Sequence, residues 1–508
     1  MDFLSLYPDW LLVHGAAFIV VLPLLIGASV AIIPSERMAW MSVLIVTLLC
    51  VLTAFALVLQ SWGGESVLYA LGGWDPPHGI AYYIDGLNAP LLLLISFIAL
   101  LCAIYALPAV VAEVEPKKRS PFYGIFLICF AGLLGMVTTN DAFNVFVFLE
   151  VSSISTYVLV AMGASRDRRA LSAAFNYLIL GSLGATFFVI GLGFIYMETG
   201  TLNMQDIHRL LTAGDGGSRV AQVAFGFIVI GMGLKLAMFP LHLWLPGAYA
   251  HAPSMVTIFL ASTATKAALY VLLRFSFTVF DPSFDYVQVV MNYLLAALAV
   301  TGMLLASLQA IFQTDARRTL AFSSVAQVGY MLLGISIGTL AGLSAGYLHL
   351  LNHAIIKGGL FVAMGAFWYR FGITRIADFN GLSKTMPWTM GAFTISGLSL
   401  IGVPFTAGFV SKYNLAKAAA DHGWWWAVGV IMMASILAII YMGRILMAAY
   451  FQSPPEHEGK TLARHEAPIT MLLPMWLLAS LSIVIGIKAD WVFDAARSAG
   501  TLLMGGLS

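Results

Sequence analysis

The segment IGMGLKLAMFPLHLWLP, residues 230–246, places a lysine and two prolines within an otherwise apolar run. A charged side chain near the centre of a bilayer costs between about 2.5 and more than 10 kcal/mol, and it is rarely retained without a pairing group, hydration or a function. Proline removes a helical hydrogen bond that lipid cannot replace, and irregular backbone at that depth needs surrounding protein or a water-filled cavity. The segment therefore predicts a membrane helix broken at Pro240 and Pro246, with Lys235 beside a polar cavity.

The composition of the whole chain is typical of a membrane protein. Of 508 residues, 60% are hydrophobic and only 10% are charged, and the mean hydropathy is +0.92, whereas soluble domains carry about 25% charged residues. The net charge of +1 and the scattered cysteines Cys50, Cys102 and Cys129 indicate no nucleic-acid footprint, no disulfide framework and no zinc or iron–sulfur spacing. No phosphate loop or dinucleotide fingerprint occurs where a strand would precede it. We therefore expect no nucleic-acid partner, no metal and no cofactor.

Apolar runs of about 20 residues predict fourteen transmembrane helices. The N-terminal segment lacks the basic region of a cleaved signal peptide, so we expect the first run to be a permanent span. The predicted spans cover residues 9–33, 38–61, 86–112, 121–140, 142–164, 170–197, 220–245, 254–277, 286–311, 320–339, 342–369, 387–419, 424–450 and 467–488. The sequence thus predicts an all-α integral membrane protein.

The basic residues predict the orientation, because cytoplasmic loops carry an excess of lysine and arginine. With fourteen spans and an external N-terminus, every basic cluster falls on the internal side. The internal residues are Arg37, Lys117, Lys118, Arg119, Arg166, Arg168, Arg169, Arg317, Arg318, Arg370, Arg375, Lys384, Lys460 and Arg464. The external residues are Arg209, Arg219, Lys417, Lys488 and Arg497. We therefore predict a multi-pass protein of the bacterial inner membrane with both termini outside.

The other basic residues fall within the predicted spans. The arginines Arg274 and Arg444 have long stems, and we expect them to reach toward the membrane surface. The lysines are Lys235, Lys266, Lys357 and Lys412. Each of them alone is compatible with a structural hydrogen bond between helices, but a set of four with a buried acid favours a proton or ion pathway.

That acid is Glu150, in the segment NDAFNVFVFLEVSSISTYVL. It is the only carboxylate deep in any predicted span, so it requires a counter-charge or a proton. Lys235 lies at comparable depth in a span of opposite direction. We predict that the two form a pair whose separation changes the proton affinity of the lysine.

Histidines extend this pattern. The segment GYLHLLNHAIIKGGLF places His349, His353 and Lys357 at i, i+4 and i+8, which is one face of a helix over two turns. Because histidine titrates near neutral pH, this face is suited to a proton relay, and His242 and His251 are candidates for its inlet. A zinc site is the alternative use of two histidines at this spacing, but a lysine at the next position opposes a cation.

A second break repeats the first in reverse order. In GVPFTAGFVSK the lysine, Lys412, follows Pro404, whereas Lys235 precedes Pro240. Paired discontinuous helices in two halves of a chain indicate a transport site. We predict two inverted repeats, spans four to eight and nine to thirteen, with breaks in spans seven and twelve. The corresponding regions are residues 1–120 for helices one to three, 121–280 and 281–452 for the repeats, and 453–508 for helix fourteen.

These segments together resemble a known family. NDAFNVFVFLE, GLKLAMFPLHLWLPGAYAHAPS, STATKAALYVLLR, DARRTLAFSSVAQVGYMLLG, HLLNHAIIKGGLF and GVPFTAGFVSKY, spread over roughly residues 80–450, are similar to the proton-pumping antiporter-like subunits of respiratory complex I, membrane-bound hydrogenases and Mrp-type cation/proton antiporters. The resemblance implies fourteen helices with inverted five-helix repeats. It implies that Glu150 and Lys235 form the charged pair, Lys266 bridges, the histidines relay and Lys412 ends the row.

Within the family, the resemblance favours the D-type component of an Mrp-type Na⁺ or K⁺/H⁺ antiporter. A lysine at position 412 argues against the M-type complex I component, and an end just after span fourteen argues against the L-type component and the large A-type component of Mrp antiporters. The N-type component of complex I, or of a hydrogenase, is the alternative. The implied partners are other membrane subunits, protons, a monovalent cation and lipid. As an enzyme component, the chain would be at most the proton-pumping part of a quinone-reducing translocase.

Overall fold

A computed structural model describes residues 3–62, 65–214, 217–453 and 465–505. The α-helices are α1 (Asp9–Val30), α2 (Glu36–Ser61), α3 (Ala89–Glu113), α4 (Arg119–Thr138), α5 (Ala142–Ala161), α6 (Arg169–Thr199), α7 (Met204–Ala213), α8 (Arg219–Leu236), α9 (Trp244–His251), α10 (Ser254–Ser262), α11 (Ala264–Arg274), α12 (Asp285–Gln288), α13 (Leu295–Ile311), α14 (Ala316–Ser336), α15 (Leu340–Phe371), α16 (Leu382–Thr385), α17 (Pro387–Ile401), α18 (Ala407–Asp421), α19 (Trp425–Phe451), α20 (Ile469–Ile487) and α21 (Asp490–Gly505). Short 3₁₀ turns occur at Phe3–Leu6, Leu71–Gly73, Pro116–Lys118, Met162–Ser165 and Ile376–Phe379, and π-helical turns at Phe275–Val279 and Val289–Leu294.

Within the described residues, thirteen helices are long and apolar enough to cross a membrane. Their bounds agree with the predicted spans to within a few residues, except in the seventh span, whose helix ends early at Leu236. The predicted twelfth span instead consists of two 15-residue helices, α17 and α18, which are separated at residues 402–406. The prediction of an all-α, multi-pass membrane protein is confirmed. The inverted relation of the two halves stays a prediction.

The seventh span ends earlier than its prolines predict. Helix α8 stops at Leu236, and the following residue, Ala237, adopts a left-handed conformation with φ of 58°. The chain resumes helical structure only at α9. The prediction of a break at Pro246 is wrong, because this proline is the third residue of α9. The first turn of a helix has N–H groups without an intrahelical partner, so a proline removes nothing there.

The eighth span contains a break that the sequence did not predict. Its two helices, α10 and α11, meet at Thr263, which has φ of −125° and ψ of −50°. Neither glycine nor proline marks this position, which explains why the break was missed. The interruption places Lys266 in the first turn of α11.

Some elements lie outside the predicted spans. Strands β1 (Val67–Ala70) and β2 (Ala81–Ile84) form an antiparallel hairpin with Val67 opposite Ile84. Helix α7 lies between the sixth and seventh spans, and α21 follows α20. Helix α21 was not predicted from the sequence. Helix α21 packs back on α15, with Gly500 against Ser344.

Helix α15 is the central element of the bundle. All residues of its most apolar window are buried, and it contacts α3, α10, α14, α17, α18, α20 and α21. By contrast, less than half of the corresponding window is buried in α2, α6 and α19. The predicted relay residues therefore lie on the most enclosed helix of the described chain.

Contacts between loops show that the basic clusters share one face of the molecule. Ion pairs join Arg119 to Glu36 at 2.6 Å and Arg166 to Glu113 at 2.9 Å, and Arg370 donates to the Glu466 carbonyl at 2.7 Å. Loops at the other end are joined by bridges between Tyr82 and Thr139 and between Asp141 and Asn203. This arrangement agrees with the predicted alternation of the loops. Lys460 and Arg464 lie outside the described residues.

Candidate functional site

Glu150 and Lys235 meet between α5 and α8. The Lys235 Nζ atom lies 3.7 Å from Glu150 Oε1 and donates a hydrogen bond to Ser153 Oγ at 2.5 Å. Lys235 is buried, whereas Glu150 is partly exposed. The predicted contact is thus present, with the carboxylate side chain partly exposed.

A small cavity of about 30 Å³ adjoins Lys235. This volume is enough for one or two water molecules. Its lining includes the hydroxyl-bearing residues Ser152, Ser153 and Thr156 of α5 and the residues Ala264 and Ala268 of α11. The cavity therefore extends from Lys235 toward the helix that carries Lys266.

Lys266 is fully buried just after the break at Thr263. Its Nζ atom donates to the carbonyl of Ala261 at 2.5 Å and to Thr265 Oγ1 at 3.3 Å. The last carbonyls of a helix have no intrahelical partner. The break therefore supplies the acceptor that holds this ammonium group at membrane depth.

On α15, His349 and Lys357 are both held by hydrogen bonds. The Nδ1 atom of His349 lies 2.9 Å from Ser411 Oγ, and its Nε2 atom lies 3.0 Å from Gln327 Oε1. Lys357 donates to the Leu320 carbonyl at 2.7 Å and to Ser323 Oγ at 2.5 Å. Both side chains face α14, and His349 also reaches α18.

His353 differs from its neighbours because neither ring nitrogen has a hydrogen-bond partner among the described residues. The side chain is fully buried, and its ring centroid lies 6.1 Å from that of His349. The charges of Lys266, Lys357 and Lys412 lie within electrostatic range of it. His353 therefore lies within electrostatic range of lysines on α11, α15 and α18.

Lys412 lies on α18 but reaches back across the second break. Its Nζ atom donates to the carbonyls of Leu400 and Ile401, the last residues of α17, at 2.9 and 3.0 Å. The ammonium group also lies 4.6 Å from the ring centroid of Tyr330, a cation–π contact. The described residues offer no carboxylate within ion-pair distance of it.

The two inlet histidines are not joined directly to this row. The His242 ring stacks on Phe239 at 5.1 Å and lies near Phe322, and none of its contacts in the described chain is with a lysine. His251 instead lies 3.1 Å from Asp167 Oδ2. Burial lowers the pKa of His251, although Asp167 opposes this shift. A hydrogen bond from Arg169 is the main reason that the pKa of Asp167 is lowered to about 2.

The expectation that Arg274 extends toward the surface is wrong, because its side chain is enclosed within the protein. It is buried and forms a two-pronged ion pair with Asp85, at 2.8 and 3.0 Å. Its Nε atom also donates to Tyr270 at 3.1 Å. The spacing of Lys266, Tyr270 and Arg274 at i, i+4 and i+8 was the available signal for one polar face on this helix.

Glu150 is likewise not the only enclosed carboxylate near the spans. Glu113, the last residue of α3, is buried and accepts hydrogen bonds from Arg166 at 2.9 Å and from the Ser254 amide at 2.7 Å. Arg317 is buried beside it and donates to Ser254 Oγ at 3.2 Å. These residues join four loops at the basic face. Among the described residues, no three metal-ligating side chains cluster.

The chain matches a family model described as the transmembrane part of NADH:quinone oxidoreductase and Mrp antiporters over residues 139–438. It is 38% identical to the N-type component of the NADH-quinone oxidoreductase of Desulforudis audaxviator, over 95% of this chain and 97% of that protein. It is 29% identical to the D-type component of the Na⁺/H⁺ antiporter of Alkalihalophilus pseudofirmus, over 87% of each.

Two solved assemblies contain similar chains. A chain of the Mrp complex from Dietzia sp. superposes with a TM-score of 0.88 at 28% identity, covering 97% of this chain and 98% of that one. A chain of the membrane-bound sulfane sulfur reductase, an archaeal respiratory membrane complex, also gives 0.88, at 34% identity over 96% and 97%. Both neighbours are parts of larger membrane complexes.

Proposed function

Since this chain belongs to the NADH:quinone oxidoreductase/Mrp antiporter transmembrane family, we propose that it conducts protons across the membrane as one subunit of a larger complex. The observation that carries the proposal is the set of buried titratable side chains in the middle of the bundle. Lysines at this depth are costly and are seldom retained without a task. The buried titratable side chains of this set belong to α5, α8, α11, α15 and α18.

Proton uptake in this proposal occurs at the pair of Glu150 and Lys235. An ammonium group next to a carboxylate favours its charged form, and one that loses the carboxylate in an apolar setting favours its neutral form. Movement of the partly exposed Glu150 would therefore control when Lys235 holds a proton. His242 is the proposed inlet group, since it lies at the end of the same break.

Transfer between the halves would use the cavity beside Lys235 and then Lys266. Water in a cavity lined by three hydroxyl groups can bridge polar groups that do not touch directly. From Lys266 the proton would pass to His353, with Lys357 and His349 on either side. A neutral imidazole with a free nitrogen accepts a proton and releases another from the opposite nitrogen.

Release would occur at Lys412. The carbonyls that hold it lie at the opened end of α17, where water can replace them as acceptors. The excess of basic residues on one face supports a cytoplasmic location for that face, with both termini on the other side of a bacterial inner membrane. The direction of flow is set by the driving partner subunits.

Two assemblies fit this role. The resemblance of the sequence favours the D-type component of an Mrp-type antiporter, in which proton flux is exchanged for Na⁺ or K⁺. The 38% identity with an N-type component, against 29% with a D-type component, favours a respiratory complex in which quinone or a related acceptor is reduced elsewhere. Proton conduction through this chain is common to both.

The test is proton flux through the intact complex in sealed vesicles with a pH-sensitive dye inside. One arm applies a Na⁺ or K⁺ gradient, and the other supplies the reductant and quinone of a respiratory complex. We expect one of these two conditions, the cation gradient or the reductant with quinone, to drive proton movement. Lys266→Gln should reduce that proton flux at least about tenfold. A complex that assembles with Lys266→Gln and keeps its full flux would refute the proposal.

A further inference from the structure

A groove of about 930 Å³ lies at the basic face, away from the proposed proton path. It opens where the loop between α13 and α14, the segment after α15 and the outer side of α19 meet. The lining residues on the two loops are Thr314, Arg375, Ile376 and Ala377, and those from α19 and its end include Ile439, Ile440, Gly443, Arg444, Met447 and Gln452. The groove therefore has a polar end at the loops and an apolar end along a membrane helix.

Backbone hydrogen bonds of the residues on either side hold Arg375 at the polar end. The amide of Ala316 donates to Thr374 O at 2.8 Å, and the amide of Ile376 donates to Thr314 O at 2.9 Å. The Arg375 side chain is exposed and has no ion pair or hydrogen bond with any described residue. Asp315 pairs with Arg375 in an isolated antiparallel β-bridge. Its carboxylate accepts a hydrogen bond from the Arg318 amide and so caps α14.

Arg444 provides a second fixed charge. It lies on the exposed side of α19, and its Nη1 atom donates to the carbonyls of Ile311 and Gln313 at the end of α13. Those bonds use one edge of the guanidinium group. No acidic residue lines the groove within the described chain, so both arginines leave the polar end positively charged.

The apolar end is suited to a hydrocarbon chain. Ile439, Ile440 and Met447 are exposed on α19, and an atom placed at the Cβ position of Gly443 would meet nothing within 4 Å. The helix surface between these side chains is therefore a shallow track that begins directly beside Arg444 and runs toward the membrane interior.

We propose that this groove binds an anionic phospholipid, with its phosphate between Arg375 and Arg444 and an acyl chain along Ile440, Gly443 and Met447. Arginine binds phosphate through paired N–H groups, and basic pockets between membrane helices suit anionic headgroups. A zwitterionic lipid also carries a phosphate, but its own cation makes it neutral overall, so it would not offset the net charge of the two arginines. The groove shares no residue with the proposed proton path.

The experiment uses the intact complex, purified in a neutral detergent and supplied with equal amounts of phosphatidylglycerol and phosphatidylcholine. Retained lipid is counted by native mass spectrometry after washing. We expect preferential retention of phosphatidylglycerol, reduced about tenfold by Arg375→Gln, which leaves the Arg444 tie to α13 intact. Gly443→Leu keeps both arginines but fills the track, and it should have a similar effect.

Arg318→Gln and Lys384→Gln are the matched controls, because both side chains are exposed on the same face outside the groove. They should retain phosphatidylglycerol as the unchanged complex does. Equal retention of both lipids, or unchanged retention in Arg375→Gln and Gly443→Leu, would overturn the proposal. So would disulfide or chemical crosslinking of Met447→Cys to another subunit, since that subunit would then occupy the groove.

Discussion

The two helix breaks of this chain hold their lysines in different ways. At the first break, Lys235 is the second-last residue of α8, and it lies between a carboxylate and a hydroxyl, those of Glu150 and Ser153. At the second break, Lys412 lies within the helix that follows the interruption, and it reaches back to the carbonyls of Leu400 and Ile401. One lysine thus faces a carboxyl group, and the other faces backbone carbonyl dipoles.

This difference indicates different tasks. A carboxylate is carried by a flexible side chain that can approach or leave the lysine, so the first site can change its proton affinity. Backbone carbonyls at a helix end are fixed, so the second site offers constant acceptors. We infer that the first break controls uptake and the second provides release.

The largest expected effect is at the second break. Lys412→Ala removes the last titratable group of the row, and proton flux of the reconstituted complex should fall by at least about tenfold. Lys417→Ala is the matched control, since this lysine is exposed on the same helix and should keep its flux. Equal flux in the two variants would place the release site elsewhere.

The first break should differ from the second in its energetic coupling. A double-mutant cycle of Glu150→Gln and Lys235→Met, measured as thermal stability of the complex, should show a coupling energy of about 1–3 kcal/mol. The reason is that either single change leaves the other group of a poorly solvated pair without its partner. Additive effects would mean that the carboxylate does not hold the lysine.

The smallest expected effect concerns the backbone of the two breaks. Gly402 has φ of 96° and Ala237 has φ of 58°. Gly402→Ala should destabilise the protein by about 1–2 kcal/mol because it places a side chain in a left-handed conformation, and its Cβ atom would lie 3.0 Å from Lys412 Cδ.

Ala237→Gly removes such strain and should be neutral or stabilising by less than about 1 kcal/mol. Melting temperatures of the two variants give the comparison. If Gly402→Ala were as stable as the unchanged protein while Ala237→Gly lost stability, the conformations assigned to the two breaks would be contradicted.

The sequence predicted the spans and both lysine-bearing breaks because hydropathy, proline and intramembrane charge are local signals. It placed the first break a few residues late, since proline marks a broken helix without fixing where the preceding helix ends. Helix α21 was missed because it is too short and polar for a span. The break at Thr263 was missed because neither glycine nor proline marks it.

Local sequence patterns could not predict the polar contacts between elements that are far apart in the sequence. Asp85 and Arg274 are separated by 189 positions and Glu113 and Arg166 by 53, so no periodicity joins them. The contact between Lys235 and Glu150 was predicted because few charged residues lie deep within the predicted spans. The arginine pairs were missed because each member lay at the edge of a predicted span, where a surface location is the simpler expectation.

The proton row itself is tested most directly at His353. Both ring nitrogens lack a hydrogen-bond partner in the described structure. Replacing His353 by leucine therefore breaks no hydrogen bond, and the stability of the protein should be unchanged or higher. The measurement is dye-detected proton flux of the intact complex in sealed vesicles, with the melting temperature of the same sample. We predict that flux falls by at least about tenfold at unchanged melting temperature. Full flux in a complex with His353→Leu would contradict a proton path through the centre of this chain.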